Sequence, residues 1–148
     1  MAKKNRNSGC PVSNSLDIWG DKWSLLIVRD LMYAKQCTYG DFLKSEEKIA
    51  TNILATKLQI LETEEIISKS QHPESKAKFL YKLTEKGISL LPVLIEIYLW
   101  GEQYFELSEN HKKFLQDVKK DKEAFLKRAQ ENLRKERKNS NLKEISNT

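Results

Sequence analysis

Apolar side chains recur at helical spacing in several short segments of the chain. Asp21, a favourable N-cap, stands directly before one of these segments and indicates that a helix begins at Lys22. The pattern predicts three successive helices, the first ending near Gly20, the second spanning residues 22–32 and the short third spanning residues 41–44. The second and third are joined by a turn.

A fourth helix is predicted over residues 51–64, where Leu54, Leu58 and Leu61 fall on one inward face. Its outer face is short, polar and uncharged, with Lys57 at the edge. A solvated helix face usually carries Glu and Lys, whereas a face that approaches the edges of DNA bases needs small or amide side chains. The residues of this outer face are Thr51, Asn52, Ala55, Thr56 and Gln59.

A β-hairpin is predicted after the fourth helix. Residues 66–70 are rich in β-branched side chains, residues 79–83 alternate as a returning strand, and a polar loop over residues 71–78 joins them. Thr84 then caps a further helix, and Pro92 either starts a new helical segment or kinks this one. The resulting order is that of a winged helix-turn-helix, so the predicted fold is mainly α with a small β-hairpin wing.

The net charge of +5 is unevenly distributed along the 148 residues. The net charge is +3 over residues 1–9, −1 over residues 10–101, −3 over residues 102–110 and +6 over residues 111–148. Basic arms suit a polyanionic partner, although solubility explains the basic tail equally well. The predicted organisation is a disordered basic arm over residues 1–9, a winged domain over 10–105, and a basic helical extension over 106–148 that is disordered from residue 139.

Composition argues against several classes of protein. No stretch approaches 18 consecutive apolar residues, and no apolar run follows the basic start, so we expect neither a membrane span nor a secretory signal. Two cysteines and two histidines form neither a disulfide framework nor a zinc pattern, so we expect no metal, no cofactor and a cytoplasmic location. No catalytic triad order or phosphate-binding glycine loop is present, so an enzyme is not expected.

Motifs over about residues 10–101 resemble those of a known family in their order and spacing. They are CPVSNSLDIWGDKWSLLIVRDL, YGDFL, IATNILATKLQILE, YKLTEKG, and the closing LLPV and WG. The family is that of the HxlR-type regulators, relatives of the MarR group. The resemblance implies a dimeric, DNA-binding transcriptional regulator. It also implies that the first and last helices form the dimer interface and that the helix over residues 51–64 enters the major groove.

Two features depart from the family pattern. Glu65 stands where the family usually has a glycine that ends the recognition helix in the left-handed region. A glutamate in that conformation would cost on the order of 1 kcal/mol, unless the helix ends differently. The basic tail beyond Gln103 is also longer than the family needs.

The outer face of the fourth helix supplies the candidate base contacts. Asn52 and Gln59 can pair with adenine edges, and Ala55 keeps the face small. Thr51 and Thr56 can meet a phosphate or a thymine methyl group. These five residues are therefore predicted to face the DNA.

Charged side chains supply the remaining candidate DNA contacts. Lys57 can reach a phosphate or a guanine, and the wing residues Lys76 and Lys78 can contact the backbone or the minor groove. Arg29 remains open between a structural ion pair and a phosphate contact.

Apolar and aromatic residues of the first and last helices are the candidate dimer interface. The tryptophans lie on apolar helix faces, which favours packing over a stacking platform for single-stranded nucleic acid. The predicted interface residues are Leu16, Trp19, Leu94, Ile97, Tyr98, Trp100 and Phe105.

Cys10 is the candidate redox-sensing residue. It precedes the first helix and lies near three basic residues, a setting that favours the thiolate. The resemblance supports this role, because several members of the family use the matching cysteine to sense oxidants or electrophiles. A small buried packing residue is the open alternative, and Cys37 is either its partner or incidental.

The function predicted from these observations is regulation of transcription. The protein would bind an inverted-repeat operator in double-stranded DNA as a homodimer and act as a repressor, with a small molecule or an oxidant as effector and no membrane partner. The alternative is a winged helix that binds only other proteins. Sequence-specific DNA binding distinguishes the two.

Overall fold

The computed structural model describes residues 8–146, with side chains described as far as residue 139. Its elements follow the predicted order and confirm a mainly helical chain with one antiparallel hairpin. The elements are α1 (Pro11–Trp19), α2 (Lys22–Ala34), α3 (Tyr39–Leu43), α4 (Thr51–Thr63), β1 (Ile67–His72), β2 (Ser75–Leu83), α5 (Glu85–Ile88), α6 (Leu91–Glu102), α7 (Glu109–Lys120) and α8 (Lys122–Ser146).

Two compact units divide the chain, one up to Gly87 and the other from Ile88. The first contains α1 to α4 and the hairpin, which together form the winged helix-turn-helix. The second contains α6, α7 and α8. The predicted range of 10–105 for the winged domain stays a prediction, because the boundary between the two compact units falls after Gly87 and not after residue 105.

The core of the first unit is built from the predicted helical stripes. Leu54 and Leu61 of α4 are fully buried and Leu58 is nearly so, as the spacing predicts. The side chains of Val28 and Leu31 in α2 are buried to the same degree. Apolar burial of this kind contributes about 1.5–3 kcal/mol for each large side chain, so it supplies most of the energy that holds α4 in place.

Helix boundaries are set by side-chain caps, one predicted and one missed. Asp21 caps α2, because its Oδ2 accepts the backbone N–H groups of Trp23 and Ser24, each at 3.0 Å. The third helix begins at Tyr39 and not at the predicted Asp41. Thr38 and Asp41 form a reciprocal capping box there, which makes Asp41 the third residue of the helix.

The wing is longer than predicted. Its strands pair from Ile67↔Leu83 to Gln71↔Phe79, with a bulge between Gln71 and His72, so the eight-residue loop predicted over residues 71–78 is wrong. A run of polar residues argues against a strand only where the strand has to bury one of its faces. The outer part of β2 is exposed, so its polar residues are compatible with a strand. The backbone of Cys37 pairs with that of Tyr81 in an isolated antiparallel β-bridge, on the edge of β2 that does not face β1.

The second unit has a packed interior. Leu115 and Val118 of α7 are fully buried, and the ring of Phe114 packs edge-on against Tyr98 of α6 at 5.3 Å and against Phe125 of α8 at 5.6 Å. The extension therefore contains two helices, which are separated at Asp121.

Helix α8 continues to Ser146, so the disorder predicted from residue 139 is wrong over that stretch. The segment contains neither glycine nor proline, and nothing in its backbone interrupts the preceding helix. Most of the basic arm predicted over residues 1–9 lies outside the described residues.

Glu65 has a φ of 60°, so the glutamate occupies the left-handed conformation that the family pattern assigns to glycine. The N–H of Ile66 donates to the carbonyl of Leu61 at 2.9 Å, which is the hydrogen bond of a Schellman motif at the end of α4.

We expect Glu65→Gly to raise the free energy of unfolding by on the order of 1 kcal/mol, because glycine adopts this conformation without steric cost. Urea unfolding measures the change. Glu64→Gly is the control, because Glu64 has a φ of −82° and the substitution there should destabilise the protein. A loss of stability in Glu65→Gly would show that the left-handed backbone is not strained.

Candidate nucleic-acid interface

The outer face of α4 is open to solvent along its length. Thr51, Asn52, Ala55, Thr56 and Gln59 are all exposed, on the side opposite the buried leucines. The structure thus brings the five predicted base-contacting residues together on one surface. These five residues carry amides, hydroxyls and a methyl group but no formal charge, and the exposed Glu62 follows them on the last turn of the same face.

Thr56 has part of its hydrogen-bonding capacity already in use. Its hydroxyl donates to the backbone carbonyl of Asn52 at 3.0 Å, within the same helix. The hydroxyl oxygen can still accept, and the methyl group is free to meet an apolar partner such as a thymine methyl. The amide groups of Asn52 and Gln59 therefore carry most of the donor capacity of this face.

Lys57 lies at the edge of this outer face, and its ammonium group contacts α2 instead of extending into solvent. Its Nζ lies 3.6 Å from Oδ2 of Asp21, the N-cap of α2, and its side chain is largely covered. Burial raises the pKa of Asp21, but the hydrogen bonds from Ser24 and Trp23 and the charge of Lys57 outweigh burial and lower it. Lys57 is therefore a tie between α4 and α2, and its predicted DNA contact requires it to leave Asp21.

Tyr39 of α3 holds the first turn of α4, which no side chain caps. Its hydroxyl donates to the carbonyl of Thr51 at 2.6 Å. Sequence reasoning missed this positioning residue. Its only sequence signal is its place in the YGDFL motif, where an aromatic residue begins the helix before the recognition helix.

Arg29 forms the structural ion pair that sequence reasoning left open. Its Nη1 and Nη2 donate to the two carboxylate oxygens of Glu47 at 2.5 and 3.0 Å. Ser45 donates to the same carboxylate at 2.6 Å. The hydrogen bonds from Arg29 and then from Ser45 lower the pKa of Glu47 to about 2. The pair fastens the segment between α3 and α4 to helix α2.

The two wing lysines predicted to contact DNA are exposed. Lys76 and Lys78 lie on the exposed part of β2. Lys69 of β1 lies over the ring of Phe79, with its Nζ 4.2 Å from the ring centroid. At the turn, Nδ1 of His72 accepts the N–H of Glu74 at 3.1 Å, so this histidine supports the turn.

The two cysteines occupy opposite environments. Cys10 is exposed at the N-cap of α1, where the backbone N–H groups of Ser13 and Val12 lower the pKa of its thiol. Cys37 is buried beside β2, and burial, followed by the charges of Asp30 and Asp41, raises the pKa of its thiol to about 12. Among the residues described, Cys10 is therefore the exposed thiol with the lowered pKa, and Cys37 is the buried thiol with the raised pKa.

The predicted interface residues differ in what they leave open to a partner. Ile97, Trp100 and Phe105 of the second unit are exposed, with Trp100 at 58% and Phe105 at 64%. Tyr104 is exposed too and was missed. Its ring lies 4.9 Å from that of Trp100, in an exposed cluster of aromatic rings.

The other predicted interface residues are less uniform. Leu16 of α1 is exposed, while Trp19 and Tyr98 are half-buried. Leu94 is only 7% exposed, so its side chain packs inside the chain and offers little surface to a second copy. Its spacing matched that of its exposed neighbours because α6 is apolar on more than one face.

Two kinds of feature are absent from residues 8–146. No helix there is long and apolar enough to cross a membrane. The same residues contain no cluster of three or more His, Cys, Asp or Glu side chains placed to hold a metal ion.

The Arg29–Glu47 pair predicts a specific loss of stability in acid. Because the folded state lowers the pKa of Glu47 from 4.5 to about 2, its stabilising contribution is complete above pH 4.5 and disappears as the pH falls towards 2. We expect Glu47→Gln to lower the free energy of unfolding at pH 7 by on the order of 1–3 kcal/mol, and by much less at pH 2.

Chemical denaturation of Glu47→Gln and wild type across this pH range measures the difference. Glu46→Gln removes a neighbouring exposed carboxylate as the control and should track the wild type at every pH. A constant gap between Glu47→Gln and the wild type from pH 7 to pH 2 would contradict the role given to this pair.

Comparisons with known proteins cover most of the chain described above. The family model described as HxlR-like helix-turn-helix matches residues 18–109. YdeP, an uncharacterised HTH-type transcriptional regulator of Bacillus subtilis strain 168, is 35% identical over 96 residues, which are 65% of this chain and 74% of YdeP. YodB, an HTH-type transcriptional regulator of the same strain, is 32% identical over 101 residues, 68% of this chain and 89% of YodB.

Solved structures show the same fold. The reduced form of YodB matches with a TM-score of 0.56 and 30% identity, covering 69% of this chain and all of that one. A protein assigned to the MarR family of transcriptional regulators from Porphyromonas gingivalis W83 matches with a TM-score of 0.59 and 27% identity, covering 70% of this chain and 100% of that one. YodB has also been solved in quinone-bound and diamide-treated forms.

Proposed function

The chain belongs to the HxlR-like helix-turn-helix family of transcriptional regulators, and we propose that it is a homodimeric repressor that reads an inverted repeat in double-stranded DNA. Helix α4 is the recognition helix and the β1–β2 hairpin contacts the DNA backbone. The observation that carries this proposal is the outer face of α4, which is exposed and, in its first turns, rich in amides and hydroxyls. Repression follows if occupancy of the operator excludes other proteins from the same DNA.

The fixed position of α4 supports a reading function. A bidentate contact to a base edge needs its amide group placed to within a fraction of an ångström. The backbone of α4 is held at its first turn by Tyr39 and at its middle by the Lys57–Asp21 contact. A helix held in this way presents the side chains of Asn52 and Gln59 from a defined backbone.

Dimerisation is proposed from exposed apolar surface. Trp100, Tyr104 and Phe105 form a contiguous aromatic cluster in the second unit, and Val12 and Leu16 are exposed on α1 in the first. Exposed aromatic clusters of this kind are typical of protein interfaces. A two-fold dimer would place two copies of α4 about 34 Å apart, on successive turns of the major groove.

Selection of bound sequences from random DNA tests the proposal. The enriched site should be an inverted repeat with half-sites about 10 base pairs apart, centre to centre. If no motif is enriched, the protein does not read DNA sequence, and the alternative of a winged helix that binds only proteins is favoured instead. An asymmetric half-site, or a monomer at micromolar concentration, would contradict the dimer.

Two sets of variants separate base reading from backbone binding. Asn52→Ala should relax base preference at one position in each half-site, at a cost of about 1–3 kcal/mol per contact. Lys76→Ala with Lys78→Ala should weaken binding to all sequences alike and reduce its dependence on salt. The measurement is affinity for the selected site and its single-base variants over a salt series. A change of sequence preference in the wing variant alone would reverse the two assignments.

Cys10 is proposed to sense electrophiles or oxidants. The support is its exposure, its lowered pKa at the N-terminus of α1, and the existence of quinone-bound and diamide-treated forms of the relative YodB. A quinone would bond to the Cys10 sulfur through a ring carbon, and the ring would become the hydroquinone. The adduct would lie on α1, next to the exposed Val12 and Leu16 proposed for dimerisation.

We expect quinone treatment to modify Cys10 faster than Cys37 and to lower operator affinity by at least tenfold. Such a loss follows if an adduct on α1 prevents both half-sites from being bound at once. Mass spectrometry locates the adduct, and titration with operator DNA measures affinity before and after treatment. Cys10→Ser should bind DNA normally and not respond, while Cys37→Ser should respond like the wild type. Equal affinity with and without treatment in the wild type would contradict a sensing role for Cys10.

A further inference from the structure

The C-terminal extension is a folded element that the family match does not cover. The match ends at residue 109, where α7 begins. Beyond it, α7 and α8 bury Leu115, Val118 and Leu133. Helix α8 has 25 residues and is therefore about 37 Å long, slightly more than one turn of B-form DNA. The extension thus offers a long rigid surface whose role the family does not supply.

Some cations of the extension are bound to carboxylates within the second unit. Lys119 Nζ lies 2.5 Å from Glu102 Oε1, and Lys122 Nζ lies 2.6 Å from Glu96 Oε1, so both join the extension to α6. Lys112 pairs with Glu109 at 3.2 Å. Arg128 reaches Asp117 at 3.5 Å. These four cations have a structural partner and are not available to a second molecule without losing it.

Other lysines of the extension have no such partner. Among the described residues, no carboxylate lies within 4 Å of the ammonium group of Lys127, Lys135 or Lys138, and all three side chains are exposed. Their spacing of eight and three residues places them within about 80° of one another around α8. Glu131 is the carboxylate on the same face, so the face keeps a net positive charge.

We propose that this face of α8, defined by Lys127, Lys135 and Lys138, binds the phosphate backbone of double-stranded DNA without reading its sequence. The proposal rests on the proposed function, since it adds a second DNA contact outside the winged helix-turn-helix. Lysine ammonium groups on flexible side chains bind phosphates as point charges and impose little geometry, which suits a contact independent of sequence.

The neighbours of these lysines favour DNA over an anionic membrane. A helix that lies in a membrane surface needs a broad apolar face beside its basic one. In α8, Leu133 is buried, and Phe125 packs against Phe114 of α7. Of the exposed polar residues nearby, Glu131 lies between the three lysines around the helix, while Asn132 and Asn139 lie just outside that arc. Among the residues whose side chains are described, up to residue 139, this face therefore has charge for phosphates but no large apolar side chain to insert among lipid tails.

The experiment compares two triple variants of the full chain on a 40-base-pair duplex of random sequence. The test variant is Lys127→Gln, Lys135→Gln and Lys138→Gln. The matched control is Lys112→Gln, Lys119→Gln and Lys122→Gln, which removes the same charge from lysines already paired with carboxylates. Glutamine keeps a high helix propensity, and circular dichroism checks that α7 and α8 persist in both variants.

Each phosphate contact adds about 0.9 to the slope of log affinity against log salt, so the test variant should lose about 2 to 3 units of slope. The control variant should keep the slope of the wild type, and the test variant should keep the sequence preference of the wild type on the selected operator. Equal slopes in the test variant and the wild type would overturn the proposal and leave a solvated face.

The same design separates this proposal from the others. Loss of binding to vesicles of phosphatidylglycerol and phosphatidylcholine, with an unchanged slope on DNA, would overturn the proposal in favour of a membrane contact. Loss of slope in both triple variants alike would also overturn it, because charge alone would then account for the effect. If the wild type binds no duplex at all, the proposed function itself fails.

Discussion

Helix α4 is held from one side only, and the first unit is organised around that constraint. Leu54, Leu58 and Leu61 bury its inner face, while the outer face is left bare. Hydrophobic burial is strong but non-directional, so by itself it would let the helix roll or slide by a fraction of its pitch. A helix that presents amide groups to a partner cannot tolerate such movement. The directional interactions around α4 supply what the leucines cannot.

Those directional interactions lie at the start, middle and end of the helix. Tyr39 holds the carbonyl of Thr51 in the first turn, and Lys57 meets the cap of α2 in the middle. At the end, the left-handed Glu65 turns the chain so that the Ile66 N–H satisfies a carbonyl of the last turn. Single polar contacts such as those of Tyr39 and Lys57 contribute little net stability to the fold, but they fix the orientation of the helix. Stability and orientation therefore come from different residues of the same unit.

The sequence predicts the local parts of this arrangement and misses the distant ones. Asp21 as a cap and the leucine stripe of α4 follow from residues within one or two helical turns. The left-handed conformation at Glu65 is one of two alternatives that the family resemblance leaves open. The Arg29–Glu47 pair joins positions 18 residues apart, and the Tyr39–Thr51 bond joins positions 12 apart. No periodicity reveals which of several charged or aromatic residues will meet after the helices pack.

The wing and the extension were misjudged for a related reason. The pattern of apolar and polar residues reveals an element only where one of its faces is buried. Both of these elements include stretches whose side chains are exposed. The outer part of β2 stays paired in a strand although its side chains are exposed, and α8 continues to Ser146 although it carries little apolar surface. Backbone hydrogen bonds maintain both, and such bonds leave no hydrophobic signature in the sequence.

The placement of positive charge divides affinity from specificity. The five residues of α4 that would read bases carry no formal charge, and Lys57 at the edge of their face is turned towards Asp21. Among the described residues, Lys127, Lys135 and Lys138 of α8 have no carboxylate partner, and the wing residues Lys76 and Lys78 are exposed on β2. An ammonium group attracts every DNA sequence equally, so placing it on the reading face would strengthen binding to wrong sites as much as to right ones. Under the proposed function, keeping lysines away from that face would let the amides of α4 decide between sequences, while charges elsewhere would raise the affinity for all of them.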